Sequence, residues 1–101
     1  MIDLERLAAH ALGLAGVRER SPAGRRGWYV DGRLVMRQED ADFVVVRCDI
    51  AERERLLVDH PETFSVPPRF EAHHKVMVDL ARGDEQTAYD AVTAAWELQR
   101  L

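Results

Sequence analysis

The pair Asp31-Gly32 stands between two short runs of β-favouring residues, GWYV at 27–30 and RLVMR at 33–37. A two-residue connection of this composition favours a type I′ hairpin, because both central residues must take positive φ and Asp and Gly tolerate it. The polar stretch QEDAD at 38–42 then reads as a second connection. It leads into FVVVRC at 43–48, rich in β-branched residues and too short for an independent helix. Residues 27–48 are therefore expected to form a three-stranded antiparallel meander, and the rest of the chain must pack around it.

Helical patterns flank the meander. Over 3–15, Leu4, Leu7, Ala8, Ala11, Leu12 and Ala15 recur at three- and four-residue spacing, with Asp3 placed to cap and Gly13 and Gly16 to weaken the end. His10 lies off that stripe and reads as a solvated helix residue. Residues 16–27, GVRERSPAGRRG, read as a loop concentrating Arg18, Arg20, Arg25 and Arg26. It is either a solvated connection or an anion-contacting one, since guanidinium forks suit phosphate and carboxylate. After the meander, Asp49 and Glu52 have the spacing of a capping box, and a helix over about 50–59 stops at His60-Pro61. The alternation of Glu52, Arg53, Glu54 and Arg55 reads as a solvated face with local ion pairs. PETFSVPPRF at 61–70 is proline-interrupted and supports at best an edge strand over 63–66. HKVMVDL at 74–80 alternates as a strand, and a final helix is expected from about 84 to 100. The resulting order is α-β3-α-β2-α: a single α+β domain over residues 1–101, with an antiparallel sheet and helices packed on one face.

With this order in view, the chain resembles the MmcQ/YjbR family, small bacterial proteins of secretion-chaperone-like fold. The likeness lies in HALGLAGV at 10–17, Asp31-Gly32-Arg33-Leu34, VVRCD at 45–49, PPRF at 67–70, VMVDL at 76–80 and AWEL at 95–98. None of these is a catalytic signature; order and spacing carry the resemblance. Lys75 departs from the pattern, since the family commonly has tryptophan after a His matching His74, so any role of that aromatic does not carry over. The resemblance implies the α-β3-α-β2-α fold and a label of DNA binding that rests on fold analogy.

Charge is distributed unevenly. The whole chain has a net charge of −4, which does not favour a protein held to nucleic acid by overall charge. Yet residues 18–47 carry seven Arg against five acids, a net of +2, leaving seven basic and thirteen acidic residues elsewhere. If Leu34 and Met36, Val44 and Val46, and Val76 and Val78 face the helices, their alternates face outward. That places Arg33, Val35 and Arg37, then Phe43, Val45 and Arg47, then Lys75 and Met77 on one open face, with Trp28 and Tyr29 nearby. Candidate nucleic-acid contacts are Arg25, Arg26, Arg33, Arg37, Arg47 and Lys75. The same face offers Val35, Phe43, Val45 and Met77 to a protein partner or a second copy of the chain. A solvated sheet surface is the third reading.

Catalytic and metal chemistry finds little support. Neither G-x-x-x-x-G-K-[ST] nor G-x-G-x-x-G occurs. The adjacent His73 and His74 of a regular strand point to opposite faces and do not share a metal. Cys48, the only cysteine, lacks a partner and aligns with Val44 and Val46 as a small core residue. Trp96 reads as core or as the wall of a pocket. No cofactor, metal or enzymatic activity is expected. No window approaches the ~20 apolar residues of a membrane span, and the acidic, amphipathic start MIDLERLAAHALGLAG has no signal-peptide pattern, so a cytoplasmic location is expected.

Overall fold

The computed structural model describes all of residues 1–101. Helix α1 (Leu4–Leu12) begins where the Asp3 carboxylate accepts the backbone N–H groups of Glu5 at 2.8 Å and Arg6 at 3.2 Å. It buries Leu7, Ala8 and Ala11 and ends at Gly13. Strands β1 (Arg18–Arg20), β2 (Gly27–Val30), β3 (Arg33–Gln38) and β4 (Phe43–Arg47) follow, then helix α2 (Ile50–Asp59). Strands β5 (Phe64–Ser65) and β6 (Lys75–Asp79) and helix α3 (Glu85–Gln99) complete the chain. Asp49 and Asp84 start α2 and α3 as Asp3 starts α1, accepting from Glu52 N at 2.7 Å and Thr87 N at 2.9 Å.

The fold is α+β, with three helices and one six-stranded antiparallel sheet of order β1-β2-β3-β4-β6-β5. The Asp31-Gly32 hairpin forms with φ of 51° and 76° at its two central residues. The sheet has one strand more than expected. Arg18–Arg20, within the stretch read as a loop, pairs with β2, and its three exposed charged residues blunt the sheet edge against further pairing.

Alternate residues of the strands meet the helices in one core. Trp28, Val30, Met36, Val44, Val46, Val76 and Val78 cluster with Leu7 and Ala11 of α1, Leu56 of α2, and Ala88, Val92 and Ala95 of α3. Val35 departs from simple alternation. Trp28 pairs with Met36 but Tyr29 pairs with Leu34, so Val35 is an additional residue on β3, a β-bulge. The bulge turns Val35 into the core, where it is 0% exposed, and gives Leu34 the opposite face. Neither the outward Val35 nor the inward Leu34 of the sequence reading holds. Trp28, expected near the basic face, is likewise a core residue.

Two further side chains are more deeply engaged than their local sequence suggests. His10 stacks on Tyr89 with ring centroids 4.6 Å apart and makes a 2.8 Å hydrogen bond with Thr93, joining α1 to α3 rather than facing solvent. Arg53 is buried, not solvated. Its guanidinium donates to the carbonyls of Phe70 (3.2 Å), His73 (2.7 Å) and Glu71 (2.9 Å), fastening the β5–β6 connection to α2.

Candidate functional site

One row of paired residues crosses the whole sheet: Arg20, Gly27, Arg37, Val45, Met77 and Ser65. Cross-strand partners project to the same face, and Val45 and Met77 fix this face as the one away from the main core. Arg18, Tyr29 and Leu34 lie beside the row in register, as does the pair Arg47 and Lys75. Arg25 and Glu39 flank its other side, with Phe43 opposite Asp79.

This face is only partly open. The β5–β6 connection crosses it, and Phe70 caps Val45 and Met77, which are 0% and 6% exposed, with Phe43 and Val66 packed around them. Val45 and Met77 are therefore unavailable as partner contacts, and Val35 belongs to the core; of the four apolar candidates only half-buried Phe43 stays at the surface. The physical reason is the same fork of Arg53 that holds residues 70–73 against α2 and so keeps Phe70 in place.

The polar part of the face is strongly cationic. The Glu39 carboxylate receives Arg69 at 2.8 Å, Arg25 at 3.2 Å and Arg37 at 3.6 Å. Arg47 and Lys75 have no carboxylate partner; Arg47 donates to the His74 carbonyl at 3.1 Å, and the Lys75 ammonium lies 5.5 Å from the centre of the Phe70 ring. Burial first, then the positive fields of Arg37 and Arg47, hold the Lys75 ammonium below the usual lysine range. The buried Nε of Arg37 has no hydrogen-bond partner. With Arg18 and Arg20, seven cationic side chains share this face with Glu39 and with Asp79, whose carboxylate is engaged by the N–H groups of Ala81 and Arg82 at 3.0 Å.

Four of the six cationic candidates, Arg25, Arg37, Arg47 and Lys75, belong to this cluster. The other two do not. Arg26 turns to the helix side, bound to Glu5 at 2.6 Å and Glu19 at 2.9 Å with its guanidinium 5.1 Å from the Trp28 ring centre. The hydrogen bond from Arg26 holds the Glu19 carboxyl below the usual carboxylate range. Arg33 pairs with Val30, a core residue, and so projects from the hairpin end on the helix side. From the sequence, Arg18 and Arg20 enter only as members of a loop that is either solvated or anion-contacting, and Arg69 and Phe70 have no place in the candidate site. The β1 pairing brings in the first two, and the chain's passage over the sheet brings in the others.

At the β1 end the face holds an aromatic platform. A Cβ on Gly27 would lie 2.7 Å from Cε1 and 2.8 Å from Oη of Tyr29, so the ring occupies the space over that glycine. Arg20 stands 5.2 Å from the ring centre. Beside it opens a recess of about 330 Å³ lined by Gly16, Arg18, Arg20, Tyr29, Asp31 and Gly32.

The helix side has a different character. A small cleft of about 100 Å³ between α2 and α3 is lined chiefly by apolar residues, among them Leu56, Ala91, Ala95 and Leu98, with Cys48 at its wall. Burial pushes the Cys48 thiol up to about 11, against partial relief from Arg53. Trp96 lines none of the cavities; its Nε1 donates to the Ala15 carbonyl at 2.8 Å. No three His, Cys, Asp or Glu side chains converge in a metal-binding arrangement, and no helix is long and apolar enough to cross a membrane. Compared with protein-family models, curated proteins and solved structures, the chain has no match.

Proposed function

We propose that the protein is a non-enzymatic, cytoplasmic binding module of the MmcQ/YjbR type that contacts nucleic acid through the cationic sheet face. The observation that carries this reading is the imbalance at Glu39. Arg25, Arg37 and Arg69 lie within 3.6 Å of one carboxylate, while Arg47 and Lys75 stand alongside without an acid. Such a surface is strained by its own like charges and gains from an added polyanion, whose phosphates fit guanidinium forks. The acidic residues that make the whole chain negative lie largely elsewhere, Glu52, Glu54 and Asp59 on α2 and Glu85, Asp90 and Glu97 on α3 among them. A partner docking through apolar contact has much less to use, because Val35, Val45 and Met77 are buried within the protein itself.

Fluorescence anisotropy of labelled single-stranded and duplex oligonucleotides across a salt series tests this. If about four phosphates are neutralised, the logarithm of the association constant should fall with log[salt] at a slope of roughly −3 for a single strand. The double variant Arg37→Glu with Arg47→Glu should abolish binding with its circular dichroism unchanged. Binding that survives in that variant, or a wild-type protein that binds nothing at low salt, overturns the reading.

A further inference from the structure

Resting on the nucleic-acid reading of this face, we infer that its ligand is single-stranded, with one unpaired base stacked on Tyr29 in the recess beside β1 and the adjoining phosphates directed along the Arg37, Arg25 and Arg69 cluster.

Three features of the face carry this. First, Gly27 lacks the side chain that would lift the Tyr29 ring off the sheet, and the ring fills that space between Arg20 and Arg37 in the paired row. The ring is partly exposed and carries the Arg20 guanidinium 5.2 Å from its centre, an aromatic and cation pair of the kind on which an unpaired base stacks. Base pairs inside a duplex present no free face to such a platform; an unpaired base does.

Second, the recess beside Tyr29 has room for a base, at about 330 Å³. Its polar lining is mixed: Arg18 and Arg20 supply donors, and Asp31 supplies a carboxylate whose Oδ2 already accepts from the Leu101 N–H at 2.7 Å. A carboxylate repels a phosphate but accepts from the exocyclic amine of a base. The recess is thus matched to a nucleobase with an amino group, and the cluster on the far side of Arg37, where three guanidinium groups share the single carboxylate of Glu39, is matched to phosphate.

Third, the electrostatics favour the less charged polymer. Duplex affinity depends chiefly on the number of phosphates neutralised, and this chain has a net charge of −4, with seven of its fourteen basic residues on this face and the others elsewhere. A single strand asks for fewer phosphate contacts and adds stacking, which is insensitive to net charge.

The test uses the intact protein and three labelled probes at constant salt: a single-stranded oligo(dC) of about 12 nucleotides, an abasic strand with the same number of phosphates, and the duplex of the first. The expected result is at least about tenfold tighter binding of oligo(dC) than of the abasic strand, from stacking of the unpaired base. Tyr29→Ala should bring the two affinities within about twofold of each other, and Tyr29→Phe should keep them about tenfold apart, because the ring and not the hydroxyl is used. Equal affinity of the wild-type protein for oligo(dC) and the abasic strand overturns the stacked-base inference, whatever the variants do, while leaving the phosphate-binding reading intact. Preference for the duplex overturns it as well. Failure to bind any of the three nucleic acids removes the parent reading and this inference together.

Discussion

The guanidinium of Arg53 ends 2.7 Å from the carbonyl oxygen of His73, and no carboxylate meets it. A buried cation is expensive unless its hydrogen-bonding capacity is used, and here the fork is spent on the carbonyls of residues 70, 71 and 73, with Nε left without a partner. The contact links the fold to the site, because the connection it pins is the one that lays Phe70 over Val45 and brings Arg69 to Glu39.

Arg53→Met is therefore expected to lower stability by about 3 kcal/mol, through loss of charge-assisted hydrogen bonds to a closed loop. Urea denaturation should show the midpoint falling with little change in slope. Limited proteolysis should place new cleavage within 66–74. Arg53→Lys should restore little, since an ammonium does not reproduce a planar fork aimed at three carbonyls. An unchanged midpoint in Arg53→Met would mean that the connection holds by Phe70 packing alone.

The bulge in β3 sets a second pair of expectations, of the same sign and different size. Val35 is 0% exposed in the main core, whereas Leu34, though larger, is half-exposed and faces the other side. Val35→Ala should cost about 2 kcal/mol and Leu34→Ala under about 1 kcal/mol. Strict alternation from the hairpin would give the reverse ranking, so thermal or urea melts of the two variants decide between the registers. Val35→Asp should not fold, because the bulge leaves no route to solvent for the carboxylate.

That contrast marks where sequence was legible and where it was not. Local chemistry was readable: Asp31-Gly32 takes the positive φ values its turn type requires, and Asp3 and Asp49 each cap a helix. The excess of arginine over 18–47 pointed to the face that carries Arg25, Arg37 and Arg47. What escaped depends on distant partners. A bulge is set by which of Val35 and Leu34 best fills space beneath α3, and nothing in RLVMR announces it. Arg18–Arg20 becomes a strand only because β2 presents an edge to pair with. Arg53 sits in a run of alternating charge that looks solvated until the 70–73 carbonyls arrive, and Phe70 lies in a proline-broken stretch with no periodicity to show which surface it covers. Arg26 and Arg25 are neighbours in sequence yet serve opposite faces, a consequence of extended backbone entering β2.

Cys48 supplies a pH-dependent expectation. The folded thiol keeps its proton to about 11, against 9.0 for the free group, because burial disfavours the thiolate. Between these values the unfolded chain binds fewer protons than the folded one, so the contribution of the thiol is complete below pH 9 and is lost as pH rises towards 11. The difference in Tm between wild type and Cys48→Ala should therefore shift against the wild type across that window; Lys75 titrates alike in both and cancels. At pH 8 the native thiol should also react with a disulfide reagent at least about a hundredfold more slowly than the urea-unfolded chain. Equal rates would place Cys48 at an accessible, unperturbed site.

Glu39 holds three arginines of the proposed nucleic-acid face, and neutralising it separates their part in stability from the part proposed for them in binding. Its carboxylate holds Arg25, Arg37 and Arg69 together, so Glu39→Gln should cost about 1–2 kcal/mol as three guanidinium groups lose a common anion. The same carboxylate competes with any incoming phosphate. Its removal adds a unit of positive charge to the face and frees donors already converged on one point, so affinity for oligonucleotides should rise several-fold at low salt, with a steeper salt dependence. Anisotropy titrations of Glu39→Gln beside wild type read the outcome directly. Tighter binding by a less stable protein means that the carboxylate stands in for a ligand anion. Weaker binding means that Glu39 orders the arginines, and that the cluster needs its internal anion to present a phosphate site at all.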